Sequence, residues 1–178
     1  MADFFSLYDT ILRSLPAGGR VTETCAGPCW AMATQGSQSA IAMFTPGSSV
    51  PPMFPQGLAG LEIAEAAKGI KSWNMEEASL ALAAVNAALN TEDRVALLRA
   101  GDSMDRYYTE GLSFSGKTVG LIGHLHGPPE LRAQAKEVYV LERSPQEGDY
   151  PDSACDYLLP RCDIVIITGS SITNKTLP

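Results

Sequence analysis

Two histidines, four cysteines and a few acids are the side chains best suited to metal or proton chemistry in this 178-residue chain. His124 follows Gly123 directly, and Glu142 and Asp149 come later in the same region. A histidine beside one or two carboxylates binds a divalent ion or serves as an acid–base pair. His124, Glu142 and Asp149 are therefore the predicted metal ligands, and His126 reads as a solvated turn residue. Cys25 and Cys29 have a permissible C-x(2–4)-C spacing, but no matching second pair follows, and Cys155 and Cys162 fall on either side of a predicted helix end. That is no zinc-ribbon pattern, and all four cysteines read as small buried hydrophobes.

These residues need a scaffold, and the stretch KTVGLIGHLHGPPELRAQAKEVYVLERSP (Lys117 to Pro145) reads as strand, glycine turn, helix and strand. Thr118 to Ile122 is an apolar, β-branched run bounded by glycines, which suits a strand buried on both faces of a parallel sheet. Pro128 and Pro129 open a helix over Glu130 to Lys136. Val138 to Leu141 forms the second strand, with Glu142 at its carboxyl end. Ligands of open α/β sheets bind at that end, where an acid about 20 residues past the glycine turn commonly holds ribose hydroxyls. The glycines Gly120, Gly123 and Gly127 run G-x-x-G-x-x-x-G rather than G-x-G-x-x-G, so no NAD or FAD fingerprint is present. After a helix over Ala154 to Leu159, DIVIIT (Asp163 to Thr168) reads as a third buried strand. With Thr168, Ser170 and Asn174 from its end and beyond, the predicted ligand-binding set is Gly120, Gly123, His124, Glu142, Asp149, Thr168, Ser170 and Asn174.

The first hundred residues read differently. Phe4, Phe5, Tyr8, Ile11, Leu12 and Leu15 recur at helical spacing until Pro16 stops them. Arg20 to Gln35 and Ser39 to Phe44 read as two antiparallel strands. Thr45 to Gly57, rich in Pro, Gly and Ser, is predicted to be a long surface loop. A small-residue helix is expected over Leu58 to Ile70. Asn74 with Glu77 makes a capping box for a helix ending near Asn90, in which Asn86 is expected to bond to another helix. Thr91 caps a short helix to Ala100, stopped by Gly101. The expected organisation is an α+β domain over residues 1–101, a connection over 102–116 and a parallel α/β unit over 117–178.

A formal net charge of −7, from 13 basic and 20 acidic residues without a basic cluster, argues against nucleic acid or anionic membranes as partners. With 45% hydrophobic and 19% charged residues, the chain is expected to fold around a core. No apolar run is long enough to span a bilayer, and neither signal peptide nor disulfide framework is read, so a reducing cytoplasm is expected.

The segments KSWNMEEASLALAAVNA (71–87), GKTVGLIGH (116–124), LERSPQEGDYP (141–151) and LPRCDIVIITGSSITNKTLP (159–178) closely resemble the prokaryotic heavy-metal chelation family. The resemblance implies an enolase amino-terminal-like domain followed by a Rossmann-like domain, with a ligand site in the cleft between them. Family members are expected to continue beyond the segment resembling TNKTLP, which makes this chain the first half of the Rossmann-like domain. Strand one, expected to pair with a missing fourth strand, would then be a bare edge. A homodimer or the chain's own tail is predicted to cover it.

Two functions follow. One is a binding protein that chelates a divalent metal ion or metal complex through His124, Glu142 and Asp149. The other is an enzyme on a small polar metabolite, with Glu142 holding a nucleotide-like or S-adenosylmethionine-like ligand and His124 as acid or base. An interaction module without a ligand is a third reading. No nucleophile elbow, H-E-x-x-H or Walker loop is present to name a reaction.

Overall fold

The structure, a computed structural model, describes residues 4–96, 111–125 and 128–177. It is α/β and holds two sheets, one antiparallel and one parallel. Its contacts divide into two compact units, Met1–Leu97 with Gly169–Pro178, and Leu98–Thr168. Among the described residues, no helix is long and apolar enough to cross a membrane.

In the first unit, helix α1 (Ser6–Arg13) precedes strands β1 (Val21–Ala26), β2 (Trp30–Gln35) and β3 (Gln38–Met43), paired antiparallel in that order. The Arg20 to Gln35 run is thus two strands and not one. Gly27-Pro28 breaks it, and the Gly27 N–H donates to the Trp30 carbonyl at 2.8 Å. The Leu58 to Ile70 helix is also shorter than expected. Only Ile63–Ala66 (α2) is α-helical, followed by a 3₁₀ turn at Ala67–Lys71. The preceding residues spend their backbone groups on β1: Val21 N–H donates to Leu61 O at 2.9 Å, and Gly60 N–H donates to Val21 O at 2.7 Å.

Helix α3 (Met75–Leu89) packs its Ala, Leu and Val face against β2 and β3. Asn74 caps it as predicted, its side chain accepting from Glu77 N–H at 3.0 Å. The reciprocal half of the capping box is absent. Buried Glu77 instead accepts the Met53 and Phe54 N–H groups, each at 2.7 Å. The Asn74 side chain donates to Val50 O, the Glu76 N–H donates to Ser48, and Ser79 accepts from Thr45 N–H. The Thr45 to Gly57 loop is irregular, as expected, yet stitched to the start of α3. Asn86 bonds to strand β3 rather than to a helix, donating to Ile41 O at 2.9 Å, because α3 lies across that strand. Helix α4 (Glu92–Ala96) is the described part of the predicted 91–100 helix; Gly101 and the 102–110 connection lie outside the described residues.

The second unit is built on a parallel sheet. Strands β4 (Thr118–Ile122), β5 (Glu137–Glu142), β6 (Tyr150–Pro151) and β7 (Ile164–Ile167) lie in the order β6-β5-β4-β7. Helix α5 (Pro129–Gln134) precedes β5, and α6 (Cys155–Leu158), flanked by 3₁₀ turns, precedes β7. Val119, Leu121, Leu131 and Val140 form one core, while Tyr139, Leu141 and Leu158 form another. Both faces of the central strands are therefore covered, as their apolar runs predict.

The bare edge expected at strand one is not found. β4 is central, paired with β5 on one side and with β7 on the other, through Val119↔Ile164 to Ile122↔Ile167. The argument for a dimer covering strand one loses its basis, because β7 already occupies that side. β7, expected to be buried, alternates in exposure, with Val165 and Ile167 turned outward. Gly120 lets Leu159 and Cys162 approach β4; an added Cβ would stand 3.0 Å from the Cys162 sulfur.

Residues 169–177, expected to continue the second domain, pack in the first unit. Tyr8 donates to Ile172 O at 2.9 Å, Thr45 and Thr173 hydroxyls meet at 3.2 Å, and Ile172 joins the first core. Helix α7 (Ser170–Thr173) carries this contact.

Candidate functional site

The carboxyl ends of β4 and β5 bring His124, Glu142 and Asp149 together. Gly123 makes the turn possible. Its φ of 97° lies where side chains with a Cβ are strained, and an added Cβ would stand 3.1 Å from the Thr168 methyl. The Gly123 N–H continues the ladder to Leu141 O at 2.9 Å, and the chain then leaves the sheet at His124.

Glu142, the last residue of β5, holds the two turns. Its Oε2 accepts the His124 N–H at 3.2 Å, and its Oε1 accepts the Arg143 N–H at 2.8 Å. Asp149 is fixed from behind by Gln146 N–H at 2.8 Å, and its Oδ2 stands 2.6 Å from His124 Nε2. The other imidazole nitrogen, Nδ1, is 3.7 Å from Glu142 Oε2. That is beyond hydrogen-bonding range, so the pair brackets a gap without closing it. The Asp149 side chain is 11% exposed, Glu142 23% and His124 40%.

Charge follows this geometry. The hydrogen bond to Asp149 raises the His124 pKa above the ordinary 6.5, against desolvation and helped by both carboxylate charges. The same bond, with the Gln146 N–H, lowers that of Asp149 below 3.8.

Thr168 lies beside Gly123, donating its N–H to Ile122 O at 3.1 Å. Ser170 and Asn174 belong to the first unit, where the Asn174 side chain accepts from Thr176 N–H and hydroxyl. His126 and Gly127 lie outside the described residues. The cysteines divide: Cys155 and Cys162 are half-buried with thiols pushed up by desolvation, whereas Cys25 and Cys29 are exposed, contrary to the expectation that they fill core. Sequence reasoning did not single out the N–H groups of Arg143 and Gln146, which orient both carboxylates. Backbone donors carry no residue-type signal; only the turn-rich run RSPQEGD marked where they would fall.

Residues 8–89 match a family model (DUF4213) and residues 112–178 another (DUF364), both described as "Putative heavy-metal chelation". A crystal structure of a DUF364-family protein of unknown function from Desulfitobacterium hafniense is 34% identical, with a TM-score of 0.78, over 98% of this chain and 70% of its own. The chain belongs to the family that these two models describe. A second member of unknown function, from Pyrococcus horikoshii, shares the fold at 19% identity and a TM-score of 0.65, covering 98% of this chain and 72% of its own. No curated protein matches the chain.

Among the described residues no three His, Cys, Asp or Glu side chains are grouped to hold an ion. His124, Glu142 and Asp149 are adjacent, but they are arranged in series. Asp149 takes one imidazole nitrogen, and the other faces Glu142. Such a carboxylate behind a histidine is the usual support of a metal-bound imidazole, which fixes its orientation and raises its basicity. Asp149 and Glu142 thus meet different nitrogens of one imidazole, the first within hydrogen-bonding range and the second beyond it.

Proposed function

We propose that the carboxyl end of the parallel sheet binds a divalent cation between His124 Nδ1 and Glu142 Oε2, with Asp149 holding the imidazole rather than ligating. The observation that carries this reading is the 3.7 Å separation of those two atoms with Asp149 bonded to the far nitrogen. Bond lengths of about 2.0–2.2 Å to each donor are compatible with that gap. Two protein donors leave at least two of about four positions open, so the cation suits delivery as a complex whose own ligand completes the shell. The nitrogen and oxygen donors favour borderline and hard ions over thiophilic ones.

Calorimetric titration with Zn(II) and Co(II) tests this. One ion per chain is expected, with His124→Ala or Glu142→Gln reducing affinity at least tenfold. Asp149→Asn is expected to weaken binding about 10–100-fold without abolishing it, as loss of a supporting carboxylate does. Binding indifferent to His124 and Glu142 would remove the reading.

A second reading rests on the 2.6 Å His124–Asp149 bond. A hydroxyl of a small polar metabolite can occupy the same gap, hydrogen-bonded to Glu142 and exchanging a proton with His124 Nδ1. Thermal stabilisation by nucleosides or S-adenosylmethionine-like compounds in metal-free buffer, lost in Glu142→Gln, would favour it.

A further inference from the structure

An edge strand presents backbone N–H and C=O groups that no neighbouring strand takes up, and proteins blunt such edges with charge, proline, bulges, shortness or a covering segment. Among the described residues the two sheets have four edge strands, β1 and β3 in one, β6 and β7 in the other. Three of them are guarded. β1 carries a register irregularity between Val21 and Glu23, the charge of Glu23, and bonds from Val21 to Gly60 and Leu61. β3 has the Asn86 side chain on its Ile41 carbonyl. β6 is two residues long and ends in Pro151. β7 has none of these devices. Its sequence, IVII, holds no charge or proline, its register with β4 is unbroken, and β4 is its one partner among the described residues. The acid that precedes it is turned inward: Asp163 Oδ2 accepts the Thr118 N–H of β4 at 2.9 Å, and Oδ1 lies 3.5 Å from Lys117 Nζ. Val165 and Ile167 are 37% and 40% exposed on one face of this edge.

We infer that β7 is the surface through which two copies of this chain associate, pairing antiparallel with the partner's β7 about a two-fold axis. The side chains set the register. Residues directly opposed in an antiparallel pair lie on the same face of the sheet. An axis at Ile166 sets Val165 against the partner's Ile167 and Ile167 against the partner's Val165, which joins the exposed apolar side chains of both copies into one cluster. An axis at Val165 would instead oppose Asp163 to the partner's Ile167. Charge agrees with a second copy as the occupant. Each chain carries a formal net charge of −7, so copies can meet closely only where like charges are absent, and β7 brings none while Asp163 is paired with Lys117. The contact also closes on itself. It consumes both β7 edges and joins two four-stranded sheets into one that ends in the guarded β6 strands, so assembly stops at the dimer. Antiparallel pairing points the carboxyl ends of β4 in opposite directions in the two copies, which keeps the two His124–Glu142 sites apart and independent.

Sedimentation velocity of the full chain over a concentration series tests this. A species of 18.9 kDa is expected to pass reversibly into one of twice that mass. Val165→Lys and Ile167→Glu should each weaken the dimer at least tenfold. The double variant Val165→Lys, Ile167→Glu should recover most of that loss, because opposite charges then face each other across the axis. Far-ultraviolet circular dichroism checks that the variants are folded. Where a charged variant is not, Val165→Thr and Ile167→Thr keep the strand preference and should weaken the dimer several-fold. Ile41→Lys on β3 should leave association unchanged, and so should a chelator in the buffer, which separates the contact from divalent-ion binding. A chain that is monomeric at every concentration overturns the inference. Association that is lost in Ile41→Lys, that persists in both β7 single variants, or that grows beyond the dimer overturns it as well.

Discussion

Asp149 Oδ2 stands 2.6 Å from Nε2 of His124, and the Gln146 N–H donates to that same oxygen. The carboxylate is thus held by its own loop before it meets the imidazole. The imidazole in turn is left with Nδ1 toward Glu142 and solvent. This division of roles, one acid behind the ring and one in front, distinguishes the arrangement from three interchangeable ligands.

The pair should titrate together. The imidazole pKa, read by NMR, is expected above 6.5 and should fall toward that value in Asp149→Asn. A raised histidine pKa contributes stability that is present below 6.5 and lost as pH rises through the folded value. The lowered aspartate pKa contributes stability present above 3.8 and lost as pH falls through its folded value. The window in which both hold runs from about 3.8 to 6.5. No change of the imidazole titration in Asp149→Asn would contradict the geometry.

Gly123→Ala should be costly. It forces a Cβ onto a φ of 97° and toward the Thr168 methyl at 3.1 Å. A loss of about 1–3 kcal/mol in urea unfolding is expected. Displacement of His124 should also weaken any divalent-ion binding. Alanine at Gly18, where no atom lies within 4 Å of an added Cβ, controls for φ strain without crowding.

Glu77 holds the Thr45 to Gly57 loop. Glu77→Ala leaves the N–H groups of Met53 and Phe54 without their acceptor in a half-buried setting, for an expected loss of about 2–4 kcal/mol. Limited proteolysis within the loop should accelerate at the same time. Glu77→Gln keeps one acceptor and should lose less.

Lys175 is buried in the first unit, its amine donating to Thr173 O at 2.9 Å and lying 5.6 Å from the centre of the Tyr8 ring. Desolvation lowers its pKa from 10.5 to about 8. The unfolded chain therefore binds more protons between these values, and stability should rise with pH across that interval. Denaturant unfolding at pH 7.5 and 9.5 reads the slope, which Lys175→Met should flatten.

Some of this was legible from sequence because the signals are local. The Asn74 cap, the irregular Thr45 to Gly57 run and the strand at Thr118 to Ile122 follow from capping chemistry, turn composition and β-branched runs. Glu142 and His124 could be placed at strand ends because a strand–turn–helix–strand pattern puts them there. What a sequence cannot supply is the partner chosen when several are chemically equivalent. Glu77 has the type of a capping-box residue, yet two loop N–H groups outcompete the Asn74 N–H for its carboxylate. β7 could have added to either end of the sheet, and pairing with β4 made that strand central. His124, Glu142 and Asp149 were all nameable as ligands. Only the folded loops decided that Asp149 lies behind the ring and Glu142 in front, because that choice belongs to the Gln146 and Arg143 backbone N–H groups, whose positions no side-chain type encodes.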